Sequence, residues 1–287
     1  MEKIALVTDS TCDVSPAELE QWGVRCVNLK VYRSDGSQFP DGNTPENAEA
    51  FFTYLDRCDQ LPHTSMPSPV EFGEVYSQLA SEGYTHVLSV HLPLAMSGTS
   101  TAAMMAAQSA PIEVAVVDTR RNTWALGLLV RRLARMRDAN QPFSQLVESA
   151  RTLYKSCDIC FALDTLDNLV KGGRVGKATG LAASFLDIKP LLTVSDDGDV
   201  TQLGMARSMK RATAKLADIA AARVGELGPL EGVFVHARNL PGAERLRALF
   251  QERGIDFKDL GTRQIGPVIA THVATGCVGF AYIAQED

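Results

Sequence analysis

The sequence predicts an α/β protein of two domains: an N-terminal parallel sheet with helices on both faces, and a C-terminal α/β domain on a mixed or antiparallel sheet. Three observations carry this. Up to about residue 155, short apolar runs alternate with segments of helical period, the pattern of a parallel sheet covered on both sides. Beyond that point strand patterns follow one another directly, with the turn Ser195-Asp196-Asp197-Gly198 between two of them, which calls for antiparallel neighbours. The length, 287 residues, suits two ordinary domains. We divide the chain into 1–156, a Rossmann-like domain, and 157–287.

In the first half, Ile4–Val7 is a buried strand. Polar Thr8–Asp13 follows at its carboxyl end, where open α/β sheets bind ligands. Ser15 caps a helix with Pro16 at its first position, ending at Gly23. Arg25–Tyr32 alternates as a strand, and turns at Asp35-Gly36 and Pro40-Asp41-Gly42 lead to a helix capped by Thr44 and running to Leu55. Three prolines stiffen Leu61–Pro69, a loop that presents Thr64 and Ser65. A helix runs from Ser68 to Ser81, and Thr85–Val90 is a strand. The loop Ser97-Gly98-Thr99 then enters a helix over Thr101–Gln108. A strand–loop–helix step of this kind aims backbone N–H groups at one point, a ready anion site. Glu113–Val117 is the next strand; Asn122–Arg137 and Phe143–Tyr154 are helices.

In the second half, Ile159–Leu163 is an apolar run entering a strand. Leu163, Leu166, Leu169 and Val170 lie at helical spacing until Gly172-Gly173 breaks the turn. A helical-looking stretch rich in Gly, Ala and Ser continues to Leu186. Pro190–Val194 reads as a buried strand and Asp199–Met205 as its hairpin partner. Ala206–Arg223 is a basic amphipathic helix, Gly232–His236 a strand, Pro241–Arg253 a helix and Phe257–Leu260 a strand. Gln264–Thr271 and Cys277–Ile283 are expected as two final strands flanking His272.

A net charge of −6 argues against nonspecific nucleic-acid or anionic-membrane binding, because neutralising phosphates requires an excess of Lys and Arg. No apolar run reaches membrane-spanning length, and Met1 leads straight into a strand pattern rather than a signal peptide. The six cysteines are scattered and form no disulfide framework, so a reduced, cytoplasmic setting is expected. Cys157 and Cys160 are formally a C-x-x-C pair, but they open an apolar strand rather than a helix, and no second Cys/His pair is placed to complete a metal site. Gly173-Arg174-Val175-Gly176-Lys177 imitates a phosphate loop. Its first glycine position is Lys171 and its metal-binding hydroxyl position is Ala178, so both anchors fail.

The stretch Leu163–Lys177, with Asp187–Val194 behind it, resembles the signature of the DegV family of bacterial fatty-acid-binding proteins. Thr8–Asp13 is similar to that family's N-terminal loop, Thr64–Ser68 to its Thr-Ser-x-Pro-Ser segment, and Met96–Thr99 to its Ser-Gly-Thr turn. Val117–Thr119 with Gly127–Val130, and Ile265–His272, complete the likeness. The chain departs from the family at Val273–Gly276, where Gly-Pro-Gly is usual, and at His91–Met96. The resemblance implies a noncatalytic protein that buries one long-chain fatty acid in the C-terminal domain and needs no cofactor or metal. It implies a carboxylate site at the domain junction made by Thr64, Ser65, Ser97, Gly98, Thr99 and His272, with Ser10 and Arg174 near the site or its mouth. It also implies a partner, the catalytic subunit of a fatty acid kinase, contacted by Arg207 on a basic face with Lys210 and Arg211. The competing expectation is a small-molecule transferase or hydrolase using Ser97, His272 and Asp9; no Gly-x-Ser-x-Gly elbow accompanies it.

Overall fold

The computed structural model describes residues 2–40, 44–178 and 188–285. Four strands, β1 (Ile4–Asp9), β2 (Val24–Val27), β5 (His86–His91) and β6 (Glu113–Asp118), form a wholly parallel sheet in the order β2-β1-β5-β6. Strand β1 is buried along its whole length and alternates between two cores. Ala5 and Val7 face α3 (Pro69–Ser81) and α4 (Thr99–Ala107). Ile4 and Leu6 face α5 (Thr123–Asp138) and α6 (Phe143–Thr152). The period-two alternation lets one strand serve two helical layers. Reciprocal Ser–Glu capping boxes, Ser15 with Glu18 and Ser68 with Glu71, open α1 (Pro16–Gln21) and α3.

The second sheet has six strands in the order β11-β10-β12-β7-β8-β9. These are β7 (Cys157–Ala162), β8 (Lys189–Val194), β9 (Val200–Ala206), β10 (Leu230–His236), β11 (Phe257–Gln264) and β12 (Val278–Ala284). Only β10 and β11 run parallel; every other neighbour is antiparallel, so the sheet is mixed as expected. Its outer face packs on α8 (Met209–Leu227) and α9 (Leu240–Glu252) through Cys160, Leu191, Leu216, Phe234, Leu246 and Phe280. The alternate residues Ile159, Phe161, Leu192, Val194, Val233 and Val235 join the core that contains α5. Helix α5 therefore packs against both sheets, touching β1, β7 and β12.

Four expectations need correction. Arg25–Tyr32 is two strands: β2 stays in the parallel sheet, while β3 (Lys30–Tyr32) pairs with β4 (His63–Ser65) in a separate antiparallel ribbon. The chain turns between them at Leu29, whose N–H is taken by Ser10 Oγ at 2.9 Å. The supposed stiff loop thus contains a strand, β4. The run Gln264–Thr271 is also not a strand. β11 extends to Gln264, and α10 (Pro267–Val273) follows, so His272 sits on a helix. Pro267 cannot donate to a sheet ladder and is at home in a first helical turn, and this outweighs the β-branched character of Val268 and Ile269. Helix α4 starts at Thr99, two residues before its expected first residue. The helix expected up to Leu186 falls mostly on 179–187, outside the described residues.

Candidate functional site

The four loops that leave the carboxyl ends of the parallel strands converge on one place. Thr11 follows β1, Leu29 follows β2, Leu92 follows β5, and Asn122 and Thr123 follow β6. All five line a slot whose other wall is the inner face of the six-stranded sheet, with Ile159, Phe161, Val194, Val200 and Val235. Helix α10 closes the side with Val268, Ile269, His272 and Val273. Ligand sites in open α/β sheets lie at this carboxyl edge. The slot gives about 80 Å³ to the centre of a water-sized sphere, several times the ~10–15 Å³ that one water needs. Its walls are mostly aliphatic, which suits an apolar occupant better than water.

Polar groups gather in one part of this slot. Thr64, Ser65, Ser97, Arg174 and His272 all line it. His272 Nε2 lies 3.2 Å from Thr64 Oγ1. The other ring nitrogen, Nδ1, is buried and has no hydrogen-bond partner among the described residues. It abuts Gly172, where a Cβ would stand 2.5 Å from it; the first glycine of the Gly172-Gly173 pair makes room for the ring. Placing the proton on Nε2 lets His272 donate to Thr64 and avoids a buried unpaired N–H at Nδ1. The Thr64 hydroxyl proton is then left to point into the slot. Burial, aided by the nearby Arg174 charge, pulls the imidazole down to about 4, so the ring is neutral at physiological pH.

Arg174 donates from Nε to Met96 O at 3.2 Å and from Nη1 to Gly172 O at 2.7 Å. It is exposed and also lines a more open cavity that shares Thr64 and His272 with the slot, so it marks the mouth. Ser97 shares a hydrogen bond with Thr99, Oγ to Oγ1 at 2.9 Å. A Cβ on Gly98 would stand 2.7 Å from Met66 Sδ, so the Ser97-Gly98 backbone lies close under the residue that follows β4.

Not every expected residue comes to this place. Gly98 and the buried Thr99 stand behind Ser97 rather than in the lining. Ser10 accepts the Leu29 N–H and faces a different cavity, between α1 and β2. Arg207 is exposed just after β9 and does not line the slot. Conversely, Thr11, Asn122 and Thr123 line it and were missed. Thr11 lies inside the polar Thr8–Asp13 segment, which was the available signal; Asn122 and Thr123 read only as a helix start.

The competing nucleophile set is not assembled. Asp9 is fully buried and accepts from Leu92 N at 3.1 Å and from Thr11, and its Oδ2 lies 3.0 Å from His91 Nδ1. His272 faces Thr64 rather than Ser97. Cys157 and Cys160 are both buried, and burial raises both thiols, that of Cys157 to about 12. Thiolate, the reactive form, is scarce there. No described helix is long and apolar enough to cross a membrane.

Comparison with known proteins bears on the whole chain. The model of the family described as "Uncharacterised protein, DegV family" matches residues 3–285. A DegV domain-containing protein of Deinococcus radiodurans is 38% identical over 280 residues, covering 97% of each chain. One from Streptomyces coelicolor is 33% identical over 279 residues, covering 96% of each. Among solved structures, a DegV family protein of Thermus thermophilus, described as fatty-acid binding, superposes with a TM-score of 0.90. It is 30% identical, with 99% of this chain and 100% of that one covered. A Thermotoga maritima protein, described as having a fatty-acid-binding function, gives 0.86 at 27% identity over 99% and 100% of the two chains. The motifs at Thr8, Thr64, Ser97, Leu163 and Ile265 thus belong to one continuous likeness, and the chain belongs to the DegV family.

Proposed function

We propose that this protein binds one long-chain fatty acid, with the acyl chain in the aliphatic slot and the carboxylate at the Thr64–Ser97–His272 end. The observation that carries the reading is a narrow apolar slot with a cluster of uncharged donors and a single arginine at its mouth. The descriptions of the Thermus and Thermotoga structures as fatty-acid binding support it. Burying a chain of about sixteen carbons gains roughly 12 kcal/mol gross at about 0.8 kcal/mol per methylene. A carboxylate drawn in behind it costs several kcal/mol unless it is hydrogen-bonded. Thr64, Ser65 and Ser97 hydroxyls can donate to it, with His272 supporting Thr64 from behind and Arg174 supplying charge from the mouth.

In this reading residues 1–156 bring Thr64, Ser65 and Ser97 to the head group, and 157–287 bring Arg174, His272 and most of the walls for the chain, so the carboxylate lies at the junction. The protein itself does no chemistry. It presents the carboxylate to the catalytic subunit of a fatty acid kinase, with Arg207 reaching that partner or the phosphate. Six unpaired cysteines favour a reducing, cytoplasmic location.

The test is an organic extract of protein purified from a bacterial host, analysed by mass spectrometry. We expect about one equivalent of long-chain fatty acid. Empty extracts from folded protein, together with no uptake of added palmitate, would overturn the reading.

A further inference from the structure

We propose that Asp13 is a positioning residue for the head-group end of the slot, clamping the loops of the parallel sheet to the first turn of the helix that carries His272. The inference rests on the fatty-acid reading above and adds to it a residue that does not line the slot.

Asp13 follows the 3₁₀ turn Ser10–Cys12, is almost wholly buried, and holds φ at 57°. Its Oδ1 accepts the Gly266 N–H at 2.9 Å, and its Oδ2 accepts the Thr123 hydroxyl at 2.6 Å. Gly266 is the residue before Pro267, where α10 begins, and it has no side chain with which to cap that helix. A carboxylate 253 positions earlier therefore takes one of the N–H groups the helix leaves open. Thr123 begins α5 at φ 45°, a left-handed conformation that a β-branched residue rarely adopts. Its hydroxyl bond to Asp13 helps to hold that strained turn. Two backbone outliers, Asp13 and Thr123, thus meet through one side chain that also holds Gly266, and the segments so joined carry Thr11, Asn122 and Thr123 on one side and Ile269, His272 and Val273 on the other. The loop is also pressed onto α5: a Cβ on Gly127 would stand 2.9 Å from Cys12 O and 2.8 Å from Val14 Cγ2. Such close contact leaves the loop no freedom to follow α10 if the clamp is lost.

At about pH 8, where Asp13 is mostly ionised, Asp13→Asn keeps the volume but has one acceptor oxygen in place of two, so one of the two donors loses its partner. The measurements are palmitate affinity on delipidated protein, the carboxyl carbon resonance of ¹³C-labelled palmitate, and the His272 ring ¹⁵N resonances without ligand. We expect folded Asp13→Asn to bind palmitate about tenfold more weakly and to shift both the ligand carboxyl and the His272 resonances. Asp158→Asn is the comparison: Asp158 is a buried carboxylate bonded to Thr193 in the six-stranded sheet, away from α10, and its loss should lower stability without moving either resonance. If Asp13→Asn does not fold, Thr123→Val removes one donor only and carries the same expectation. Unchanged affinity and unchanged His272 resonances in a folded variant would overturn the inference. If wild type itself takes up no palmitate, the fatty-acid reading fails, while the ligand-free His272 resonances still decide the role of Asp13.

Discussion

His272 should make the ligand-free protein lose stability in mild acid, and the loss can be worked from its environment. Burial first, and the Arg174 charge second, lower the imidazole from 6.5 to about 4. A base whose folded-state value is depressed contributes fully above its unfolded value, and that contribution fades as the pH falls below it. The window is therefore 6.5 down to about 4, in which the unfolded chain takes up a proton that the folded ring refuses. At about 1.4 kcal/mol per pH unit, the ring alone removes roughly 2 kcal/mol between about pH 7.5 and pH 5. The assay is urea unfolding of wild type and His272→Gln across that range, read as the difference between the two. The difference matters because Asp13 works the other way. Burial raises it from 3.8 to about 7, so its contribution grows as the pH falls through that interval and masks the histidine in wild type alone. Bound palmitate should shrink the loss, since a carboxylate beside Thr64 favours the protonated ring. Parallel profiles for the two proteins would refute the claim that this imidazole is buried and neutral.

Other expectations follow from the same geometry. Gly172→Ala places a Cβ 2.5 Å from His272 Nδ1 and 3.0 Å from Asn168 O; it should cost about 1–3 kcal/mol in urea unfolding and weaken palmitate uptake. Thr64→Val with Ser97→Ala removes two hydroxyl donors and should weaken palmitate affinity at least about tenfold while the unfolding midpoint stays within a few degrees; equal affinity would remove both from the carboxylate site. Arg207→Ala should leave palmitate affinity unchanged and slow acyl-phosphate formation by a fatty acid kinase, and an unaltered rate would end its partner role.

The fold was legible where local chemistry and tertiary need agree. Ile4–Asp9 is apolar, β-branched and followed by polar residues, and it is the buried strand it looks like. Ser15-Pro16 and Ser68-Pro69 announce helices and deliver them, capping boxes included. Legibility failed where a distant partner decides. Within Gln264–Thr271, Pro267 favours a helix start and the β-branched residues a strand, and the bond from Gly266 to Asp13, 253 positions away, is a tertiary partner the segment does not announce. Nothing in Arg25–Tyr32 says that Ser10 will take the Leu29 N–H and send the chain into a second sheet. The residues proposed for the head group were legible as motif members, not as neighbours. Thr64 and His272 are 208 positions apart, and their contact is a tertiary fact.

In the proposed reading, that contact also bears on why a carboxylate head group would be held so sparingly. A fully buried carboxylate matched to a buried arginine must overcome the desolvation of both ions, and once formed the pair resists separation. Here the charge lies at the mouth, on Arg174, which is exposed and partly committed to Met96 and Gly172 carbonyls. Inside, the donors are hydroxyls and a ring kept neutral. Hydroxyl hydrogen bonds to a carboxylate contribute about 1.5–3 kcal/mol each, enough to orient the acid end, and each is well below the roughly 12 kcal/mol gross available from the chain. In that reading affinity scales with chain length, while the head group sets register. A carrier that hands its carboxylate to another protein needs this division, because the reacting atoms must be presented without being gripped. Thr64→Lys tests it directly. If sparing contacts are the point, a new cation should tighten palmitate binding yet slow its transfer to acceptor vesicles in a fluorescence exchange assay. Faster or unchanged transfer from a tighter complex would contradict that division of labour.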